Sequence, residues 1–307
     1  MKGFFERIYF QPKGSDYIWI GILYPFSLLY GGLMLLRRLI ARKEDFGVPI
    51  ISVGNLIVGG SGKTPFVIAL ASEYERVAIV SRGYGRQSRG LVEVSRKGKI
   101  LCDVTQSGDE PMLMSRALPH ADVIVSEDRK AGIRKAIANG AELIILDDGF
   151  NRVDIEKYDI LLEPESISNY YTFPAGPFRE FVSTRSYADL ILKEGREYRR
   201  LVMVENPADR MVLVTAIAHP QRLDPYLPEG VVARVYKDDH AYFDEEELKR
   251  LLQQYHADSI LCTSKDRVKM EGFKLAISEM KLKLEISKKC RDQIAQAIDR
   301  YRQGKRE

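Results

Sequence analysis

The residues best suited to chemistry lie in a glycine-rich stretch at residues 52–65, which reads SVGNLIVGGSGKTP. Glycines let backbone amides turn toward phosphate oxygens, and a helix that starts there adds partial positive charge. In such a loop a lysine reaches the β- and γ-phosphates of a nucleotide and a hydroxyl binds Mg²⁺. The strict motif has glycine where this chain has Ile57, so the loop alone also fits an ordinary strand–turn–helix connection. The candidate nucleotide-binding residues are Gly59, Gly60, Ser61, Gly62, Lys63 and Thr64, and Thr64 is also a candidate magnesium ligand.

Two aspartates strengthen the interpretation as a nucleotide site. Asp147 and Asp148 end the apolar run of ELIILDDGF. Carboxylates at the carboxyl end of a strand lie beside the ligand crevice of an open α/β sheet. We therefore expect one of the two, which the sequence does not distinguish, to bind Mg²⁺ directly or through water. ATP is favoured over GTP, because the nearest match to the guanine-binding pattern Asn-Lys-x-Asp is TSKD at 263–266, which lacks the spacer.

Four polar loops are candidates for the phosphate acceptor side: SRGYGR, SGDEP, SEDR and PAGPFRE. Each alone is typical of a turn or a capped helix, but their positions at successive strand ends indicate one common site. Asp109, in SGDEP, is placed to be the N-cap of the helix that starts there. The loops also contain four arginines, Arg82, Arg86, Arg129 and Arg179.

The elements that must position these residues alternate between short apolar runs and helical stretches. This alternation predicts an α/β fold of the P-loop NTPase type, with a mostly parallel sheet and helices on both faces. We expect an N-terminal membrane-associating segment at 1–43, a P-loop core at 44–200 and a smaller C-terminal α/β lobe at 201–307, with a hinge near 195–210. The predicted strands are 49–53, 77–80, 123–125, 143–146, 160–162, 190–192, 211–214, 231–236 and 259–262, and the predicted helices are 64–74, 109–118, 128–139, 243–256 and 288–302.

The segment 17–36 has no charged residue in 20 and has about the length that crosses a bilayer. Pro25 and the pair Gly31 and Gly32 are expected to bend it, and a buried core helix is the competing interpretation. An embedded or interfacial anchor is favoured because aromatic residues in the segment suit the headgroup region. The basic residues that follow favour a cytoplasmic position for the downstream chain, and they are Arg37, Arg38, Arg42 and Lys43.

Composition excludes several other classes of protein. The chain has 307 residues and a formal net charge of only +4, so its charge gives no case for binding nucleic acid. Its three cysteines are far apart and form no Cys-x-x-Cys pair. Neither a disulfide framework nor a zinc site is therefore indicated, and a reducing compartment is the simple interpretation.

Taken together, the motifs resemble those of the tetraacyldisaccharide 4'-kinases, the lipid A 4'-kinases of Gram-negative bacteria. The chain carries, in the order seen in that family, SVGNLIVGGSGKTP, SRGYGR, GDEP, SEDR, LDDGF, PAGPFRE, AHPQRL and KDDHAYF. The resemblance covers nearly the whole chain, and the family ordinarily lacks the glycine that Ile57 replaces. The combination is far more specific than any one motif.

The resemblance implies transfer of the ATP γ-phosphate to the 4'-hydroxyl of a tetraacyldisaccharide 1-phosphate, which gives lipid IVA. It implies ATP and Mg²⁺ as cofactors, a lipid substrate and a position at the cytoplasmic face of the inner membrane, with no obligate protein partner evident. By motif, Asp109 matches the family's proposed general base, and His240 matches the histidine thought to orient or tune it. The role of helix cap stays open for Asp109 beside that of base. Lys63 completes the implied catalytic set. Arg82, Arg86, Arg129 and Arg179 are implied to bind the 1-phosphate of the substrate or the phosphoryl group in transfer.

One departure concerns the residues after LDDGF, where the family usually has Gln-His and this chain has Asn151 and Arg152. Arg152 carries a fixed charge in place of a titratable ring, so a proton role is lost and a role in binding anionic substrate is favoured.

The alternative function from another class is a membrane-associated P-loop NTPase that acts as a switch or transport component. Such a protein would hydrolyse the nucleotide to change shape, so it requires neither a base on the acceptor side nor a lipid.

Overall fold

A computed structural model of the chain describes residues 2–59, 62–164, 167–218 and 220–304. The strands in chain order are β1 Ile50–Gly54, β2 Val77–Ser81, β3 Val92–Arg96, β4 Lys99–Ile100, β5 Asp122–Val125, β6 Leu143–Asp147, β7 Tyr158–Glu163, β8 Leu190–Lys193, β9 Tyr198–Glu205, β10 Met211–Thr215, β11 Val231–Tyr236, β12 Ser259–Thr263 and β13 Ile277–Ile286. The helices are α1 Lys2–Phe10, α2 Asp16–Ile40, α3 Lys63–Ala71, α4 Val104–Ser107, α5 Asp109–Ala117, α6 Arg129–Ala138, α7 Glu245–Gln254, α8 Ser264–Arg267 and α9 Lys288–Gln303.

The chain divides into two compact units. The first unit comprises Met1–Lys63, Glu142–Tyr198 and Ile286–Glu307, and the second comprises Thr64–Ala141 and Arg199–Glu285. The domain boundaries expected at 43 and 200 stay a prediction.

In the first unit, four strands run parallel in the order β6-β1-β7-β8. The residues of β1 and β6 are buried throughout and almost all apolar, as expected for a parallel sheet covered on both faces. The register places Val53 opposite Asp147. The carboxyl ends of these strands therefore carry both the start of the glycine-rich loop and the aspartate pair.

The second unit contains strands in two arrangements. In one, β2 and β5 are parallel, while β3 is antiparallel to both β5 and β4. In the other, five strands have the order β11-β10-β12-β13-β9, with β10 parallel to β11 and β12. Because β10, β11 and β12 are parallel, the segments that follow them meet at one edge of that sheet.

All nine predicted strands and all five predicted helices are present, with small differences at their ends. Strands β3, β4, β9 and β13 were not predicted. In β13, ISEMKLKLEI, charged residues alternate with apolar ones, so that strand lacks the continuous apolar run of a buried parallel strand. Strand β9 occupies Tyr198–Glu205, half of the range in which a hinge was expected, and the hinge near 195–210 stays a prediction.

The long apolar segment forms a single helix, α2, which continues through Pro25 and the Gly31–Gly32 pair. One face of α2 packs on the first unit. The Ser27 hydroxyl donates to the Thr172 carbonyl and the Thr172 hydroxyl donates to the Ser27 carbonyl, both at 2.7 Å. A Cβ on Gly31 would lie 2.4 Å from the Phe181 ring, so the close approach there requires glycine.

Candidate active site

In the first unit, Lys63 is held beside the end of strand β1. Its Nζ donates to Asn55 Oδ1 at 3.0 Å and lies 3.6 Å from Asp148 Oδ1. Asn55 follows β1 directly and is buried, whereas Asp148 follows β6. The parallel pairing of β1 and β6 thus brings together a lysine and a carboxylate that are far apart in the sequence.

The aspartate pair differs in environment. Asp147 is the last residue of β6 and is buried, while the Asp148 side chain is 32% exposed. Asp148 has a backbone φ of 55°, a left-handed conformation that aspartate tolerates better than most residues. Its Oδ2 lies 2.7 Å from Arg179 Nη1, so Lys63 and Arg179 flank one carboxylate. This arrangement gathers charges suited to phosphate and metal chemistry.

The glycine-rich loop is described only in part, because Gly60 and Ser61 lie outside the described residues. Gly59 and Gly62 have φ values of 98° and 76°, which side-chain-bearing residues rarely adopt. Thr64 lies in the first turn of α3. The positive φ values at these two glycines agree with the tight turn that the sequence predicts.

In the second unit, Asp109 is the first residue of α5 and is only 5% exposed. The residue at the N-cap of α5 is Gly108, and no side chain in the described part of the chain caps that helix. His240 Nδ1 lies 3.0 Å from both carboxylate oxygens of Asp109. The sequence left two roles open for Asp109, general base or helix cap. Because its carboxylate faces His240 and does not cap α5, the geometry favours the role of base.

Two lysines that the sequence analysis did not select also face Asp109. Lys265 Nζ and Lys269 Nζ lie 3.7 Å and 3.6 Å from Asp109 Oδ2. Burial raises the pKa of the Asp109 carboxyl, but the hydrogen bond from His240 and the charges of Lys265, His240 and Lys269 outweigh burial and hold that pKa at about 2. Asp109 is therefore ionised at neutral pH, and the proton of the pair lies on His240 Nδ1.

The segment that carries His240 is fixed by its backbone. His240 follows β11 and has a φ of 64°, while its amide donates to the Ala216 carbonyl at 3.0 Å. The Tyr84 ring lies 5.5 Å from the His240 ring, centre to centre. His240 Nε2 lies 3.6 Å from Asp239 Oδ2. The imidazole is thus held between Asp109 on one nitrogen and Asp239 on the other.

The five predicted substrate-binding arginines have different environments. Arg82 is exposed. The Arg86 side chain is 2% exposed and lies 2.6 Å from Glu127 Oε1, while its Nε and Nη1 have no hydrogen-bond partner among the described residues. Arg129 is buried and donates to the Ser126 carbonyl at 2.6 Å. Arg152 donates to Asp154 at 3.1 Å, and Arg179 pairs with Asp148 as described above.

The family model named LpxK: Tetraacyldisaccharide-1-P 4'-kinase matches residues 19–299 of this chain. The chain belongs to the LpxK family. Membership confirms the resemblance seen in the motifs and assigns the chain to a family of kinases.

Relatives of the LpxK family are similar over nearly the full length. A tetraacyldisaccharide 4'-kinase of Helicobacter pylori (strain HPAG1) is 47% identical over 98% of this chain and 95% of its own length. One from Campylobacter jejuni (strain ATCC 700819 / NCTC 11168) is 40% identical over 97% of this chain and 96% of its own length. The crystal structure of LpxK from Aquifex aeolicus in complex with ATP has a TM-score of 0.78 and 29% identity, covering 92% of this chain and 99% of that one. This similarity confirms the predicted fold class.

Three residues that contact the predicted catalytic residues were not predicted from the sequence. Asn55, Lys265 and Lys269 are each bonded or ion-paired to Lys63 or Asp109. A signal for the lysines was present, since TSKDRVK places Lys265 and Lys269 four positions apart after a strand. Such spacing places two side chains on one side of a helical turn but does not say what they face.

Proposed function

We propose that this chain transfers the γ-phosphate of ATP to the 4'-hydroxyl of a tetraacyldisaccharide 1-phosphate. The observation that carries this proposal is the Asp109–His240 pair. A nucleotide loop alone is equally compatible with simple hydrolysis, whereas transfer to a sugar hydroxyl needs a group on the acceptor side that takes up a proton. The similarity to an LpxK structure in complex with ATP supports ATP as the donor. Membership of the family of tetraacyldisaccharide-1-P 4'-kinases supports the acceptor.

In the proposed mechanism, Lys63 binds the β- and γ-phosphates and stabilises charge that develops during transfer. Asp109 accepts the proton of the 4'-hydroxyl as the oxygen attacks phosphorus. The Nδ1–H of His240 orients the carboxylate by donating to it. Arg82, Arg86, Arg129, Arg152 and Arg179 are proposed to bind anionic groups of the substrates, and Arg86 is best suited to this because it retains unused buried donors.

Magnesium is the second proposed cofactor. Mg²⁺ is held in kinases by one or two carboxylates together with phosphate oxygens and water, and the aspartate pair Asp147 and Asp148 supplies carboxylates of that kind. Thr64 is the hydroxyl ligand proposed from the motif. Both oxygens of Asp148 face cations, Lys63 and Arg179, and the choice between Asp147 and Asp148 for direct contact stays open. Bound Mg²⁺ would neutralise phosphate charge.

The proposed reaction is tested by incubating the purified protein with labelled ATP, Mg²⁺ and tetraacyldisaccharide 1-phosphate in detergent. We expect a labelled product with the phosphate at the 4' position and no comparable phosphate release when the lipid is omitted. An acceptor in which the 4'-hydroxyl is replaced by hydrogen is the matched control and should remain unlabelled. Lipid-independent hydrolysis without product would instead support the switch or transport NTPase.

We further propose that the chain lies on the cytoplasmic face of the inner membrane, with α2 in the plane of the interface. The helix is long and apolar enough to cross a bilayer, but the first unit binds it along most of its length. Near its middle Ser27 bonds Thr172, and near its end Arg38 pairs with Glu180 at 2.8 Å with both side chains buried. A helix bound to its own protein at these positions cannot pass through the bilayer alone.

The outward face of α2 supports this orientation. Large apolar side chains there are between 40% and 70% exposed, which is unusual for a helix of a water-soluble protein. They include Tyr17, Ile18, Trp19, Ile22, Tyr24, Phe26, Leu28, Leu29, Leu33, Leu36, Leu39 and Ile40. Tyr170, Tyr171 and Phe173 are also exposed, and the Tyr171 and Phe173 rings contact Tyr24 and Tyr30 of the helix. Together they form an apolar surface suited to the headgroup region.

Replacing Ile22 and Leu29 together by glutamate is expected to weaken binding to phosphatidylethanolamine–phosphatidylglycerol vesicles by at least about 100-fold. Each side chain loses roughly 1.5 kcal/mol or more of burial in lipid, and neither packs inside the protein, being 54% and 64% exposed. Sedimentation with vesicles measures the effect. Met203→Glu, at an equally exposed position on β9, is the control and should bind normally. Unchanged sedimentation of the double variant would move the anchor elsewhere, with the basic helix α9 as the next candidate.

A further inference from the structure

We propose that Lys269 is a positioning residue that holds the Asp109–His240 pair in its working geometry, with Asp266 as its fixed counter-ion. This inference rests on the proposed function and adds residues that the nucleotide and acceptor motifs do not include. The two residues come from α8 and the turn that follows it, in the segment TSKDRVK.

Lys269 is a buried charge between two carboxylates. Its side chain is 2% exposed, and Nζ lies 3.6 Å from Asp109 Oδ2 and 3.6 Å from Asp266 Oδ1. The same Nζ donates to the Ala241 carbonyl at 3.0 Å, directly after His240 in the chain. One ammonium group therefore contacts the aspartate of the pair and the backbone that carries its histidine.

Asp266 fixes the other side of this arrangement. It is fully buried and accepts hydrogen bonds from the hydroxyls of Thr215 and Thr263 at 2.6 Å and 2.7 Å. It also accepts from the Ala216 amide at 3.1 Å, and the Ala216 carbonyl accepts from the His240 amide. The backbone on both sides of His240 is thus connected, through Lys269 and Ala216, to one buried carboxylate.

Two features argue that this network serves more than stability. Buried ion pairs contribute little net stability compared with apolar residues of similar size. His240 adopts a left-handed φ, which is uncommon for residues other than glycine although histidine tolerates it better than most, and the network holds it there. A network that imposes such a backbone and also contacts the reacting carboxylate is suited to fixing catalytic geometry. Lys265, by contrast, is 19% exposed and is shared with Glu110 and Asp239.

The test is Lys269→Met in the full-length protein. We expect kcat for lipid phosphorylation to fall by about 10²-fold, the scale of a misplaced catalytic group, with ATP affinity unchanged. Loss of the positive charge also favours protonation of Asp109, so the acid limb of the pH–rate profile should move to higher pH. Three groups lower the pKa of Asp109 and so place the acid limb: His240 and Lys265 remain in this variant, and Lys269 is removed. Lys249→Met, on the exposed face of α7, is the matched control and should behave as wild type.

Removing Lys269 alone leaves Asp109 and Asp266 short of a counter-charge, which can prevent folding. The double variant Asp266→Asn with Lys269→Gln removes one charge of each sign and keeps polar groups at both positions. It should fold and show the same rate loss, with a smaller shift of the acid limb, because the loss of the Asp266 negative charge opposes the loss of the Lys269 positive charge. NMR of the His240 ring gives a readout that needs no substrate, and the signal of the Nδ1–H that is bonded to Asp109 should broaden or disappear in both variants.

The results separate the two proposals. Absence of lipid phosphorylation by the wild type would refute the proposed function, while the His240 Nδ1–H signal would still report on Lys269. An active wild type, an inactive Asp109→Asn variant and a double variant with wild-type rate and pH profile would overturn the role of Lys269. A loss of stability with unchanged kcat in the folded fraction would also overturn it, because that is the signature of a purely structural residue.

Discussion

Asp109→Asn is expected to bind ATP normally and to phosphorylate the lipid about 10²–10⁴-fold more slowly, the range for a lost general base. Asparagine has the same shape as aspartate and can still accept the hydrogen bond from His240, but it cannot take the acceptor proton. The loss cannot arise from helix capping, because Gly108 is the N-cap of α5. Single-turnover transfer of labelled phosphate measures the rate without a contribution from product release.

The matched control for Asp109→Asn is Asp244→Asn. Asp244 is a true capping residue, whose carboxylate accepts from the Glu247 amide at the start of α7. Asparagine caps about as well as aspartate, so this variant should keep full activity. His240→Ala should lose less than Asp109→Asn, and the double variant less than the product of the two losses if they act as one unit. A fully active Asp109→Asn enzyme would move the base to Asp147 or Asp148.

Lys63→Ala is expected to lower kcat by about 10²–10³-fold at saturating ATP and Mg²⁺. That range applies when one group that stabilises developing charge in the transition state is removed. Lys63 donates a hydrogen bond to Asn55 and lies near Asp148. Because Asp148 also pairs with Arg179, the variant should keep its fold. The measurement is steady-state phosphorylation of the lipid, together with ATP affinity from calorimetry.

Lys43→Ala serves as the control for Lys63→Ala. Lys43 lies in the same unit, is 58% exposed and pairs with Glu156 at 3.4 Å, so its loss should leave the rate unchanged. Thr64→Ala should raise the Mg²⁺ concentration needed for half-maximal rate, because the proposed hydroxyl ligand is absent. Near-normal turnover of both Lys63→Ala and Thr64→Ala would contradict the assignment of a phosphate loop.

The central strands were predictable because burial on both faces demands an uninterrupted apolar run, as in LIILD of β6. Strands such as β9 and β13 have partly exposed faces, and their mixture of charged and apolar residues resembles a solvated segment. The sequence therefore revealed the strands that carry the nucleotide loop and the aspartate pair, and missed strands that have a solvated face.

The site was predictable only where the chemistry is local. The glycine-rich loop and the aspartate pair are contiguous motifs, whereas Asp109 and His240 are 131 positions apart and were paired only through the family resemblance. Lys269 had no such guide, since its contacts with Asp109 and the Ala241 carbonyl depend on how α8 packs. The low pKa of Asp109 also requires the folded environment, because burial, which raises it, is outweighed by the hydrogen bond from His240 and the charges of the neighbouring side chains.

The contact between Ser27 and Thr172 has a consequence for biosynthesis. The two residues are 145 positions apart, and at about 5–20 residues per second roughly 7–30 s pass between their incorporation. During that interval α2 has emerged from the ribosome without the partners that bind its inner face. Until the segment that ends at Glu180 has been added, the inner face of α2 is exposed together with its outward face, so translation away from a membrane makes the nascent chain most prone to aggregation in this interval.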